Sequence, residues 1–160
     1  MKDAYINELK RSQEYLERST RCLEEEHSGH SPAEGMMTVA QQVAHIAHTV
    51  DWFLDGVRSD VGFNMDFEES AKEYLSVTSL AAAREWVDKS YGEVIDYLAK
   101  TPEDDLTKPV TAGTLMVGMP RIGIAASIVE HTSHHRGALT VYARTLGLKP
   151  AMPYMDEMPA

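Results

Sequence analysis

The run Glu130-His131-Thr132-Ser133-His134-His135-Arg136-Gly137 sets three histidines in an otherwise apolar stretch near the C-terminal end of the 160-residue chain. On an α-helix, residues four apart lie one turn apart on a single face, so His131 and His135 can turn their imidazoles toward one divalent ion. A second pair, His45 and His48, sits in another long apolar segment. Zinc and its first-row relatives take neutral imidazole readily, and a catalytic site keeps three protein ligands and an open position. With His131 and His135 on one helix, the third ligand must come from another. His45, mid-segment among apolar neighbours, is the first candidate and His48 the second. The pair His131 and His134, three apart, is also geometrically allowed, but the four-residue spacing is preferred because adjacent residues diverge around the helix.

The competing account is a set of core histidines satisfied by hydrogen bonds, for which Glu130, Asp51 and Ser133 are available partners. One buried histidine is usually explained that way. For a pair plus a second apolar helix bearing histidine, unpaired burial costs about 1–3 kcal/mol per polar group, which favours a shared cation. Glu130 is the nearest acceptor to fix a ligand ring, and His134 is a weak acid–base candidate that more simply lines the helix surface. Arg136 is expected to form a structural ion pair, with a substrate carboxylate as the rarer alternative.

The elements that must position these residues follow from periodicity. Tyr5/Ile6, Leu9, Leu16 and Cys22/Leu23 mark an apolar stripe that predicts a first helix over about 3–26. The loop after it contains His27 and His30, expected to be exposed in a Gly/Ser/Pro setting. A second helix starts behind Thr38, with Gln41 as its capping-box partner, and runs through Val57. The connection over 58–77 is too long for antiparallel neighbours and predicts a crossover between parallel helices, with a helical turn over 68–75. A third helix over 80–100 is capped by Thr78 or Ser79. Residues 101–120 read as loop or short hairpin. A fourth helix over 120–146 begins with Pro120 at its first position and stops at Gly147, before an extended tail over 149–160. The expected fold is an all-α four-helix bundle, one domain over 1–160, with a long crossover between helices two and three.

Composition narrows the function. A formal net charge of −10 argues against a sequence-independent nucleic-acid binder, which needs a cationic stripe, and against attachment to anionic membranes. No apolar stretch is long enough to span a bilayer, and the polar start carries no signal-peptide pattern, so a cytoplasmic protein is expected. The single cysteine, Cys22, reads as a small half-buried residue rather than a nucleophile.

The stretch Thr38-Val39-Ala40-Gln41-Gln42-Val43-Ala44-His45-Ile46-Ala47, with Trp52 seven residues after His45, resembles the second helix of the DinB/YfiT-like family. The stretch His131-Thr132-Ser133-His134-His135-Arg136-Gly137 resembles that family's H-x-x-H-H-R-G-Q signature in the last helix, in the right order and at about the right separation. The resemblance implies a DinB-like bundle, often homodimeric, with His45, His131 and His135 holding one divalent metal ion. Zinc or nickel is expected first, with iron, manganese or copper also suited to imidazole. It further implies a metal-dependent enzyme, a hydrolase or a transferase using a low-molecular-weight thiol cosubstrate. A non-catalytic metal-binding or dimeric stress-response protein is the alternative. The signature glutamine is Ala138 here, which touches substrate class more than metal binding.

Overall fold

The computed structural model describes residues 1–155 and is built from helices. These are α1 (Lys2–Thr20), α2 (Val39–Arg58), α3 (Phe67–Leu75), α4 (Leu80–Lys100), α5 (Glu103–Leu106) and α6 (Ile124–Thr145). α1, α2, α4 and α6 form the bundle, with α3 lying within the crossover and α5 within the loop that precedes α6.

Directions follow from pairs of touching residues. Lys2 donates to the Ala99 carbonyl at 2.7 Å, while Arg84 donates to the Thr20 carbonyl at 2.9 Å, so α1 and α4 are antiparallel. Trp86 reaches Asp51 near the start of α4, and Arg58 lies over the Tyr97 ring near its end, so α2 and α4 run parallel. Two parallel neighbours need a connection that returns the full helix length. The crossover supplies it, as its length predicts. Gln42 and His45 of α2 meet His135 and His131 of α6, which makes those two antiparallel.

The starts and stops have local causes. Thr38 caps α2 and accepts from the Gln41 amide at 3.3 Å, while the Gln41 side chain accepts from the Thr38 amide at 2.9 Å. Gln41 also donates to the Leu75 carbonyl at 2.7 Å, pinning the end of α3 to the start of α2. Ser79, rather than Thr78, caps α4. The first helix is shorter than its apolar stripe predicts, ending at Thr20. There the Thr20 hydroxyl turns back on the Leu16 carbonyl, and the Arg84 guanidinium takes the carbonyls of Thr20 and Leu23. With the terminal carbonyl of α1 and that of Leu23 bonded from α4, the chain turns into a 3-10 segment over Glu25–His27. Leu23 is nonetheless fully buried and Cys22 half-buried.

The last helix also departs from expectation. Pro120 precedes a 3-10 turn over Arg121–Gly123, and α6 proper begins at Ile124. Gly147 takes φ +78°, the left-handed stop predicted for it. Residues 101–120 combine α5 with two isolated bridges, Pro109 to Pro120 and Val110 to Val117. The tail is anchored rather than merely extended: Tyr154 packs edge-on against Tyr15 at 5.1 Å. Positions 156–160 of the predicted tail lie outside the described residues.

The core runs through all four bundle helices, with Leu9, Ile46, Leu98, Ile128 and Leu139 among its buried side chains. One polar chain crosses it. Ser12 of α1 meets the Tyr91 hydroxyl at 3.2 Å, and that hydroxyl meets Thr132 of α6 at 2.8 Å. Every member is bonded, which is what a buried polar group requires.

Candidate metal centre

α2 carries Val43, Ala44, Ile46, Ala47 and Val50 into the core, and the same winding turns His45 toward α6. There His131 and His135 stand one turn apart. Their Nε2 atoms lie 3.1 Å from each other, and His131 Nε2 lies 3.3 Å from His45 Nε2. One nitrogen from each ring fits within a set spanning 4.8 Å. Imidazole donors on a tetrahedral zinc stand about 3.3 Å apart, given bonds of about 2.0–2.1 Å. The spacing therefore fits a small divalent ion.

Burial also sets the charge state. His45 and His135 are pushed down to about 4, and His131 to about 3, each chiefly by burial. The secondary causes are neighbouring imidazoles: His48 on His45, His135 on His131, and His45 on His135. At neutral pH all three rings are uncharged, the form in which imidazole donates a lone pair. His45 Nδ1 is buried without a hydrogen-bond partner.

The remaining candidates fall outside this trio. His48 packs against Tyr74 with tilted rings, centroids 5.4 Å apart, and meets Trp86 edge-on at 6.1 Å. His134 is exposed, with its ring edge-on to His135 at 4.8 Å. Glu130 is exposed and fixes none of the rings. Asp51 accepts from the Trp86 indole at 2.7 Å instead of from a histidine. Arg136 lies over the rings of Tyr15 and Tyr154, at 5.6 and 6.0 Å from their centroids, in place of the expected ion pair. His27 and His30 are half-buried rather than exposed: the His27 ring accepts from the Glu24 amide, and His30 bonds Thr145 at 3.0 Å.

Three residues at the centre escape a reading by motif. Gln42 is 4 % exposed, and its carboxamide lies against Nδ1 of His135. Tyr142 of α6 touches the other end of that carboxamide at 3.4 Å and donates to the Met37 carbonyl at 3.1 Å. Tyr74 of α3 packs on His45 with centroids 4.6 Å apart. Gln42 precedes His45 by three residues on a helix, which is the available signal for it. Tyr74 has none, because the crossover's path is not periodic.

His45 and His131 open onto a cavity of about 240 Å³ walled by Trp52, Phe53, Phe67 and Tyr74. His48, Trp52 and Ser70 are shared with a larger chamber of about 960 Å³. Asp51, Asp55, Glu69, Glu73 and Glu93 line that chamber, against Lys72 as its basic residue. The crossover shapes both spaces. A Cβ on Gly56 would fall 2.2 Å from the Phe63 ring, so the glycine lets Phe63 close onto α2 beside Trp52.

A four-helix bundle with parallel second and third members and an imidazole trio between the second and last defines the class. The sequence matches the DinB family over residues 1–159, and the chain belongs to that family. Among solved structures it is similar to a DinB-like protein from Bacillus cereus ATCC 10987, with TM-score 0.72 and 19% identity over 94% of this chain and 95% of that one. It is also similar to YfiT from Bacillus subtilis, with TM-score 0.70 and 15% identity over 92% of this chain and 89% of that one. YfiT is described as a probable metal-dependent hydrolase with an unusual four-helix bundle topology. At these identities the likeness is one of fold. No curated protein matches the sequence. Among the described residues, no helix is long and apolar enough to cross a membrane.

Proposed function

We propose that this chain is a divalent-metal-dependent hydrolase in which His45, His131 and His135 hold the ion. The observation that carries the reading is the meeting of three neutral Nε2 atoms, at 3.1 and 3.3 Å, beside an aromatic-walled cavity. A zinc or nickel ion held there supplies Lewis acidity and an acidified water near neutral pH. Three imidazoles suit several first-row metals, and availability decides among them.

The chain's own residues support a substrate of particular character. Trp52, Phe53, Phe67 and Tyr74 offer an apolar space next to His45 and His131, fitted to an apolar group of roughly one ring with substituents. The carboxylates of the adjoining chamber repel anions and favour a neutral or cationic remainder. Cys22 lines neither space, so a thiol nucleophile would have to arrive as a low-molecular-weight cosubstrate. Because many such thiols carry carboxylates, the acidic chamber favours water over them. The family resemblance also supports a homodimer, which sedimentation at micromolar concentration tests.

Protein purified without a nickel column should carry about one metal per chain, and His135→Ala should remove it. A panel of neutral and cationic aryl esters and amides should be hydrolysed in a chelator-sensitive way. An electrophile assayed with and without added thiol separates transfer from hydrolysis. Hydrolysis that survives full chelation would overturn the metalloenzyme reading.

A further inference from the structure

The carboxamide of Gln42 touches two partners, and counting protons decides which end faces which. Tyr142 has a single hydroxyl proton, and the Met37 carbonyl, 3.1 Å away, can only accept it. Gln42 Oε1 is a second acceptor for that one proton at the longer distance of 3.4 Å; with the proton on the shorter Met37 bond, the Tyr142 oxygen offers Gln42 only lone pairs. A carboxamide oxygen there would set acceptor against acceptor, whereas the amide N–H₂ would donate. The two ends of a carboxamide are nearly the same size, so partners settle its orientation. The structure sets the amide nitrogen against Nδ1 of His135 and the oxygen against the Tyr142 hydroxyl; turning the carboxamide over gives Tyr142 the N–H₂ donor and puts the amide oxygen at Nδ1 of His135.

We infer that Gln42 is a positioning residue that holds His135 in its Nδ1–H tautomer, leaving the Nε2 lone pair aimed at His131 and His45. The inference deepens the metal-site reading and rests on it for its purpose, although the tautomer itself is a property of the metal-free protein. The opposite orientation would make Nδ1 the acceptor and place a proton on Nε2, where a cation would have to displace it. Gln42 is 4 % exposed, Tyr142 3 % and His135 8 %, so water does not readily substitute for any of these bonds. His45 provides a contrast within the same trio, since its Nδ1 is buried with no partner. One ring is thus oriented by hydrogen bonding and another by packing against Tyr74. Polar groups that orient ligand histidines in this way typically change metal affinity about 10–100-fold when removed.

The test is long-range ¹H–¹⁵N correlation NMR on histidine-labelled, metal-free protein, paired with zinc affinity measured by chelator competition. His135 should appear as the Nδ1–H tautomer in the wild type. An Nε2–H signal there overturns the inference. Gln42→Met removes the acceptor at similar volume and should bring in the Nε2–H form and weaken zinc about 10–100-fold. Gln42→Glu keeps an acceptor toward Nδ1 and should keep both the tautomer and the order of magnitude of zinc affinity. Equal losses in the two variants would mean a packing role only. Should Gln42→Met fail to fold, Tyr142→Phe decides: it removes the group that orients the amide, so a mixed His135 tautomer supports the inference and an unchanged one overturns it. Wild-type protein that shows Nδ1–H but binds no zinc would sink the metal reading while leaving this assignment standing.

Discussion

His131 and His135 meet Nε2 to Nε2 at 3.1 Å, and His131 is also the ring that faces His45, at 3.3 Å. The middle position makes His131 the most sensitive of the three. We expect His131→Ala to abolish zinc retention after dialysis, while His48→Ala and His134→Ala keep about one metal per chain, as elemental analysis would show. Loss of metal in His48→Ala would move the third donor from His45 to its neighbour. In the wild type, zinc at 100 times its dissociation constant should stabilise the fold by about 2.7 kcal/mol, because only the folded chain presents the trio.

The same burial gives the metal-free protein a pH signature. The folded rings sit at about 4, 3 and 4 for His45, His131 and His135, below the ordinary value of about 6.5. Below about pH 6.5 the unfolded chain takes up protons that the folded chain refuses, so stability falls with pH until the folded values are reached. Urea midpoints measured in chelator should therefore drop between pH 7.5 and 5. Replacing all three histidines with asparagine should flatten that slope, and an unchanged slope would place its cause elsewhere.

A third expectation concerns the core beside the centre. Tyr91 is fully buried and bonds both Ser12 and Thr132, and Thr132 adjoins His131 in sequence. Tyr91→Phe leaves two hydroxyls without their shared partner, at a cost of about 1–3 kcal/mol. Denaturant titration should show a lower midpoint with an unchanged slope. Since α6 is also held by apolar packing, zinc affinity should change little.

Much of this arrangement was legible in the residues because it rests on local rules. The Thr38–Gln41 capping box, the left-handed Gly147 and the four-residue spacing of His131 and His135 each encode one turn of structure. The length of the crossover likewise predicted parallel helices. What escaped depends on partners distant in sequence. α1 stops at Thr20, where Arg84, from another helix, takes the terminal carbonyl together with that of Leu23 in the following turn. Gln42 matters because Tyr142, 100 residues away, is beside it. Glu130 looked like the natural fixing group for the histidines by adjacency, yet adjacent residues diverge around a helix and its side chain faces solvent. The cavity depends on Tyr74 and Phe67 folding back over α2, and no periodicity in the crossover encodes that path.

The wall of that cavity provides the last prediction. Gly56 lies under Phe63, whose ring atoms would stand 2.2–2.6 Å from an added Cβ. Such contacts cannot be accommodated, so in Gly56→Ala the Phe63 ring must swing away from α2. Helix propensity favours alanine by about 1 kcal/mol, while overpacking costs typically about 1–3 kcal/mol, so the net effect is expected to be mildly destabilising. Function should report the change more clearly than stability. Phe63 packs against Trp52 with centroids 4.9 Å apart, and Trp52 is shared by both chambers. Displacing Phe63 should alter indole fluorescence and raise KM for aryl substrates more than it lowers kcat, with metal content unchanged. A fall in kcat with KM unmoved would show that the aromatic wall acts on the reacting centre rather than on binding.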